Sequence, residues 1–397
     1  MNAVQILEFD RIRAQIAAHT TCARTAAELS ALVPETDAAR ITRQKRYVHA
    51  ILSRIEAGVA TPSGSVEEVA PLFEQISKDG AVLESDALLA LRRFLEYAAA
   101  VIQFCRAEDT PVLHDLVSDV RVPEELSRDL NTFITDDGEI SEAAIPELRR
   151  LKSEIGRVNR TLIRRAEEMM RTEGEIYRGE EPTIRDGRTV LPLAANFKGR
   201  VDGIIHESSG SGETLFVEPR QLVDLNNELI QAYHAIHREI RRVLRELSAG
   251  VRRALPVLRP LYDAVIAVDG FIARARWGSE RSGVIVEVGD HLDLRGARHP
   301  LLGTACVPLS VAFETDTRML VISGPNTGGK TVLIKTIGLL SMLHQCAVPI
   351  PVETDSTMPL FRHWGVDIGD EQSIDENLST FSAHMRRLAA IIRDAGP

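Results

Sequence analysis

The segment Gly324-Pro325-Asn326-Thr327-Gly328-Gly329-Lys330-Thr331 limits what this chain can fold into more than any other stretch. It fits G-x-x-x-x-G-K-[ST], the P-loop pattern. The apolar run Met319-Leu320-Val321-Ile322 before it is predicted to be a buried strand, and Val332 to Leu343 after it a helix. Strand, glycine-rich turn and helix start, in that order, form the setting in which such a loop holds a polyphosphate. Glycines at 324, 328 and 329 let bare N–H groups close on phosphate oxygens, where a Cβ would obstruct. The helix that follows turns its positive end toward the same anion. Lys330 is the residue that would reach the β- and γ-phosphates, and the Thr331 hydroxyl the one that would hold Mg²⁺. A nucleotide triphosphate, ATP with Mg²⁺, is the expected ligand.

At 397 residues, a chain with 44% hydrophobic and 26% charged residues is expected to fold into two or three ordinary globular domains. Cys22, Cys105, Cys306 and Cys346 lie far apart with no C-x-x-C pair, which argues against a zinc site or a disulfide scaffold. No run of about 18 apolar residues occurs and the N-terminus lacks a signal-like apolar stretch, so no membrane partner and a cytoplasmic location are expected. The net charge of −10 does not itself exclude nucleic acid, because binding needs a local basic face rather than a basic total.

That basic character is concentrated in two helical segments. One runs from Ile145 to about Thr172 and carries eight Lys/Arg against three Glu between Arg149 and Arg171. The other runs from Gln221 to about Leu255, with Arg238, Arg241, Arg242, Arg245, Arg252 and Arg253. Apolar Leu148/Leu151/Ile155/Val158/Leu162 and Leu229/Ile236/Ile240/Leu244/Leu247 recur at helical spacing, which predicts an antiparallel coiled coil whose outer faces are solvated or lie on a phosphate backbone. Between them, Asp186-Gly187 separates two β-rich runs, a hairpin signal, and strands follow at 198–206 and 213–219. Arg185, Arg188, Lys198 and Arg200 give this small β unit a basic edge. His206, Glu207 and Ser208 to Ser211 form no hydrolase pattern and are read as strand and loop. Residues 1 to about 145 are mostly helical, with Leu88, Leu91, Leu95, Ala98 and Ile102 on one face after a cap at Ser85; isolated His19, His49 and His114 carry no chemistry. Beyond Gly283 the pattern turns α/β, with strands expected at Val284–Val288 and Phe361–Ile368 and a last helix bearing Met385, Leu388, Ile391 and Ile392, capped by Ser379 or Thr380.

The segments GPNTGGKT, GDEQSI and LSTFSAHM at this separation, with ARHPLL at Ala297 to Leu302, resemble the ATPase domain of the MutS superfamily. LEFDRIRAQIA near the start and SSGSGETLFVEPRQLVDLNNEL at 208 to 229 resemble the second bacterial branch of that superfamily, so the likeness covers nearly the whole chain. It implies a multidomain α plus α/β fold: a helical core at 1–144, an ascending lever helix at 145–175, a β clamp at 176–220, a descending lever helix and return at 221–280, and a partial P-loop (ABC-like) ATPase domain at 281–397. It also implies that Gly324, Pro325, Asn326, Thr327, Gly328, Gly329, Lys330 and Thr331 cradle the nucleotide and Mg²⁺. Ser379 and Thr380 would approach the γ-phosphate bound to the other subunit of a homodimer, and Val307 and Pro308 would pack on adenine. Arg185, Arg188, Lys198, Arg200, Arg238, Arg241, Arg242 and Arg245 are the candidate nucleic-acid contacts.

Some features depart from the family pattern. A mismatch-reading domain is not expected ahead of the core, and Phe94-Leu95-Glu96, which imitates its F-x-E motif, lies in a predicted amphipathic helix and is expected in the core. The Asp-Glu strand that activates water is expected after Asp394, where the chain stops; Val265 to Asp269 imitates it upstream of the P-loop, on a helix. No catalytic residue is therefore assigned, and ATP binding with little hydrolysis is expected from a truncated chain. The endonuclease activity of the family would reside in a C-terminal (Smr) domain outside this sequence. Leu193 stands where a basic residue is expected in relatives. Three functional readings follow: an ATP-gated clamp on branched or duplex DNA that suppresses homologous recombination, a ribosome- and rRNA-bound ATPase that senses or splits collided ribosomes, and an inactive fragment.

Overall fold

The computed structural model describes residues 3–368 apart from 65, 180, 304–305, 314–316, 318 and 325–328, and beyond them 385, 388–389 and 391–393. The described residues form a mixed α and β protein in two compact units. One unit comprises Met1–Pro71, Arg93–Pro123 and Leu255–Pro397, the other Leu72–Arg92 and Glu124–Ala254.

In the first unit the chain opens with α1 (Ala3–Ile6), α2 (Phe9–Ala17), α3 (Ala23–Ser30) and α4 (Ala38–Glu56). Asp37 starts α4 by accepting from the amides of Ala39 and Arg40, which satisfies two donors that the first turn leaves open. A core of Leu7, Phe9, Ile12, Ile16, Trp277, Leu294, Leu339, Leu340 and Leu343 joins these helices to α10 (Lys330–Gln345). Asp269, the carboxylate of the sequence that imitates a water-activating strand, is fully buried on α9 (Arg220–Ser279) and accepts from the amides of Thr21 and Cys22. It holds the turn that leads into α3, a structural task.

The second unit contains α7 (Glu124–Phe133), α8 (Pro146–Thr172) and a four-stranded antiparallel sheet, with residues of α5 (Ala70–Ser77), α6 (Ser85–Cys105) and α9 shared between the units. The sheet has β1 (Thr183–Arg185), β2 (Arg188–Ala194), β3 (Gly203–Ser208) and β4 (Thr214–Pro219) in the order β1-β2-β4-β3. Asp186 and Gly187 both take positive φ, 48° and 75°, as a two-residue hairpin turn of this hand requires. Val158, Leu162, Ala166 and Met170 of α8 share a core with Leu191, Leu193 and Val217 of the sheet and Leu222 and Leu229 of α9. Leu193 is thus a core residue with 1% of its surface exposed, a place where a basic side chain would be buried. Leu148, Leu151, Leu244 and Leu247 are buried as the heptad-like pattern predicts, and Arg157 bridges α8 to Glu228 of α9 at 2.8 Å.

Three expectations change. The descending helix does not stop near Leu255: α9 runs for 60 residues with Pro256 and Pro260 inside it. An interior proline costs about 3 kcal/mol. Here Leu258, Leu261, Val265, Val268, Ile272 and Trp277, all essentially buried, hold the helix together by packing. Second, Met319-Leu320-Val321-Ile322 is not a strand; Met319 is 78% and Val321 81% exposed. A strand exists only when its backbone groups are paired, and among the described residues no strand lies beside it. Third, 361–368 is likewise irregular, and of Val284–Val288 only Glu287–Val288 is a strand, β5. With β6 (Asp293–Ala297), β7 (Leu309–Ala312) and β8 (Thr357–Met358) it forms a small sheet ordered β5-β8-β6-β7, in which only β5 and β8 run parallel. Phe94 is fully buried in α6, as expected.

Candidate functional site

The described part of the glycine-rich loop meets α10 at Gly329, whose φ of 77° and ψ of 13° are left-handed, and Gly324 has a φ of 144°. A Cβ at either position would meet nothing within 4 Å, so backbone conformation rather than space demands glycine. Among the described residues no side chain caps α10, which leaves its first amides open to an anion. Lys330 folds back across the turn and donates to the Gly324 carbonyl, and Thr331 beside it is exposed. An uncapped helix start, a lysine drawn over it and an open hydroxyl fit a polyphosphate with its magnesium. Pro325, Asn326, Thr327, Gly328, Ser379 and Thr380 lie outside the described residues. Val307 is 82% exposed and Pro308 is exposed, just ahead of β7.

Behind this loop α10 is held along its length. A Cβ on Gly338 would approach two Leu7 methyls at 2.9 Å, which marks close packing of α10 on the N-terminal segment. Lys335 reaches Glu8 at 3.3 Å. At the far end the Gln345 side chain donates to the carbonyls of Glu35 and Phe361 and accepts from the Phe361 amide. Beside it, the Lys45 ammonium of α4, 5% exposed, donates to the Val286 carbonyl at 2.8 Å and lies 2.8 Å from Nδ1 of His344. Burial pulls the Lys45 ammonium down to about 7, against a weaker pull from Glu287. Burial, then Lys45, pushes His344 down to about 3, so its ring is neutral and accepts.

The sheet of the second unit contains a buried polar lock that the sequence does not announce. Glu218 on β4 has no exposed surface and accepts from Arg188 (2.7 Å), His206 Nε2 (2.7 Å) and Asn226 Nδ2 (2.8 Å). Asn226 pairs with both backbone groups of Thr189 at 3.0 Å, and Arg188 also reaches Asn227. Burial alone would raise the Glu218 carboxyl; hydrogen bonds from His206, Asn226 and Arg188 outweigh it and hold it below the usual carboxylate range. The lock ties β2, β3 and β4 to the start of α9. Its only trace in the sequence is Glu218 and Asn226-Asn227 inside the segment that carries the family likeness.

The eight basic candidates separate by their neighbours. Arg188 is committed to the lock, Arg185 to Glu207 at 2.7 Å and to the Phe216 ring, and Arg242 to Glu239 and Glu246, both at 2.6 Å. Lys198 and Arg200 are exposed between β2 and β3, Arg200 near the Phe197 ring. Arg238, Arg241 and Arg245 stand exposed along α9.

No family model matches the chain. Among curated proteins it is similar to endonuclease MutS2 of Gemmatimonas aurantiaca, 34% identical over 408 residues, covering 99% of this chain and 50% of the relative. It is also similar to endonuclease MutS2 of Pelotomaculum thermopropionicum, at 33% identity over 100% of this chain and 51% of the relative, and of Thermotoga neapolitana, at 30% over 100% and 52%. The chain belongs to the MutS2 family. It spans about half the length of the MutS2 proteins it matches. Within that span, the glycine-capped start of α10 and the Glu218 lock are the two built features. Among the described residues no helix is long and apolar enough to cross a membrane, and no cluster of three or more His, Cys, Asp or Glu is placed to hold a metal.

Proposed function

We propose that this chain binds ATP with Mg²⁺ at Gly324–Thr331 and, as a homodimer, uses its sheet-bearing unit as a clamp on DNA. The observation that carries the nucleotide half is the uncapped, glycine-led start of α10 with Lys330 drawn across it. Lys330 would pair with β- and γ-phosphate oxygens, Thr331 would ligate the magnesium, and the open amides would hold the remaining phosphate charge. Magnesium neutralises the charge between the phosphates; the chain's own residues orient them. In this reading 281–397 acts as the ATPase portion, 1–144 as the core, 145–175 and 221–280 as levers and 176–220 as the clamp. Ser379 and Thr380 would contribute to the partner's nucleotide, so ATP would govern dimerisation. The name borne by the relatives, endonuclease MutS2, supports a nucleic acid as the polyanion; branched or recombining DNA and restraint of recombination are proposed with it.

Calorimetry with ATP–Mg²⁺ tests the loop: Lys330→Ala is expected to abolish binding, and unchanged affinity would refute the assignment. Sedimentation with and without ATP tests the dimer. Binding to a four-way DNA junction is expected; co-migration with ribosomes and no junction binding would replace DNA with ribosomal RNA as the partner.

A further inference from the structure

In the second unit several arginines have acidic partners. Arg150 pairs with Glu147 and Glu154, Arg157 with Glu228, Arg178 with Glu213, Arg185 with Glu207, and Arg242 with Glu239 and Glu246. A strip of basic residues on α9 has none among the described residues. His234, His237, Arg238, Arg241 and Arg245 are all exposed and recur three or four residues apart, so they share one helix face. The first four line a shallow depression of about 310 Å³. Among the described residues none of the five has a carboxylate partner, and the Arg245 Nε donates to the Arg241 carbonyl, which fixes its guanidinium along the helix. In a chain of net charge −10, a strip of like charges left unneutralised costs helix stability, about 0.2–0.5 kcal/mol per neighbouring pair, unless a polyanion covers it.

We infer that the His234–Arg245 face of α9 is a phosphate-binding ridge on which one strand of duplex DNA lies. The inference rests on the proposed nucleic-acid role and assigns it to a particular face. From 234 to 245 the helix rises about 16 Å, and one strand of a duplex advances about 3.4 Å per phosphate, so three guanidinium groups and two imidazoles face a run of about five phosphates. Arg238 and Arg241 offer planar forks to phosphate oxygens, and the imidazoles add N–H donors. Arg242, one residue on, turns to Glu239 and Glu246 and is not part of the ridge.

The test uses the full chain and a fluorescent DNA duplex, titrated at several salt concentrations. The Arg238→Gln/Arg241→Gln/Arg245→Gln variant is expected to bind roughly tenfold more weakly at low salt and to lower the salt-dependence slope by about 2 to 3. Arg242→Gln is expected to lose less than about twofold. ATP binding and circular dichroism should be unchanged in both. Unweakened duplex binding by the triple variant, with wild-type protein binding normally, overturns the ridge and leaves the clamp reading standing. No duplex binding by wild type overturns both. A loss confined to an RNA duplex, with DNA binding intact, overturns the assignment to DNA.

Discussion

Two buried polar clusters solve the same problem in opposite ways. In the sheet-bearing unit, Glu218 is removed from water but surrounded by Arg188, His206 and Asn226, so its charge is matched and its oxygens are occupied. In the other unit, Lys45 is nearly as buried, yet its nearest partners are a carbonyl and a neutral imidazole. The carboxylate therefore stays ionised below its ordinary range, whereas the ammonium gives up its proton readily, at about 7. Burial decides the sign of a shift only where the donors and charges placed around the buried group do not outweigh it.

The largest effect should come from breaking the matched cluster. Glu218→Ala leaves Arg188 and Asn226 without their acceptor and is expected to destabilise the unit by about 3–5 kcal/mol, read by denaturant unfolding. Because the folded carboxyl lies below its unfolded value, the lock's contribution is present at neutral pH and lost as pH falls through the folded value. Glu218→Gln should unfold at lower denaturant at pH 7 and show less of that acid dependence.

Lys45 behaves in the reverse sense. Between about 7 and the ordinary lysine value of 10.5 the unfolded chain holds a proton that the folded chain has released, so stability should rise with pH across that window. Lys45→Met is expected to flatten the rise and to change stability at pH 7 by no more than about 1–2 kcal/mol, toward greater stability. A loss comparable to that of Glu218→Ala would show that the two clusters are equivalent after all. His344, held near 3, makes its own contribution in acid: stability should fall as pH drops below 6.5, in a profile that His344→Gln would remove. The smallest effect is expected from His206→Gln, which keeps a donor for Glu218 and should cost under about 1 kcal/mol.

The same contrast explains what could be read without coordinates. Asp186-Gly187 announced its hairpin because a positive φ at both residues is a local demand that few residue pairs meet. The apolar faces of α8 and α9 were legible because helical periodicity requires only near neighbours. Phe94 in the core and Asp269 on a helix followed from the same periodicity. Glu218, Lys45 and His344 could not be read that way, since each takes its meaning from partners far along the chain: His344 lies 299 residues from Lys45. Periodicity also failed where context overrode it. The second basic segment reads as ending near Leu255, but buried neighbours carry α9 on through Pro256 and Pro260. Met319 to Ile322 looked like a strand, but a strand needs a partner that sequence composition does not supply. Among the basic candidates, composition counted Arg188, Arg242 and Arg241 alike; only the placement of Glu218, Glu239 and Glu246 separates them.

By itself the sequence determined the family, the glycine-led helix start at residue 329, the hairpin at 186–187 and the helical character of the long arms, since each depends on contiguous residues and their backbone preferences. Tertiary structure alone decided which charges are buried and matched, which helix outlasts its prolines and which arginines of α9 stay open to solvent. Those outcomes turn on desolvation and on distances of a few ångströms between residues brought together only by folding, and no local pattern encodes them.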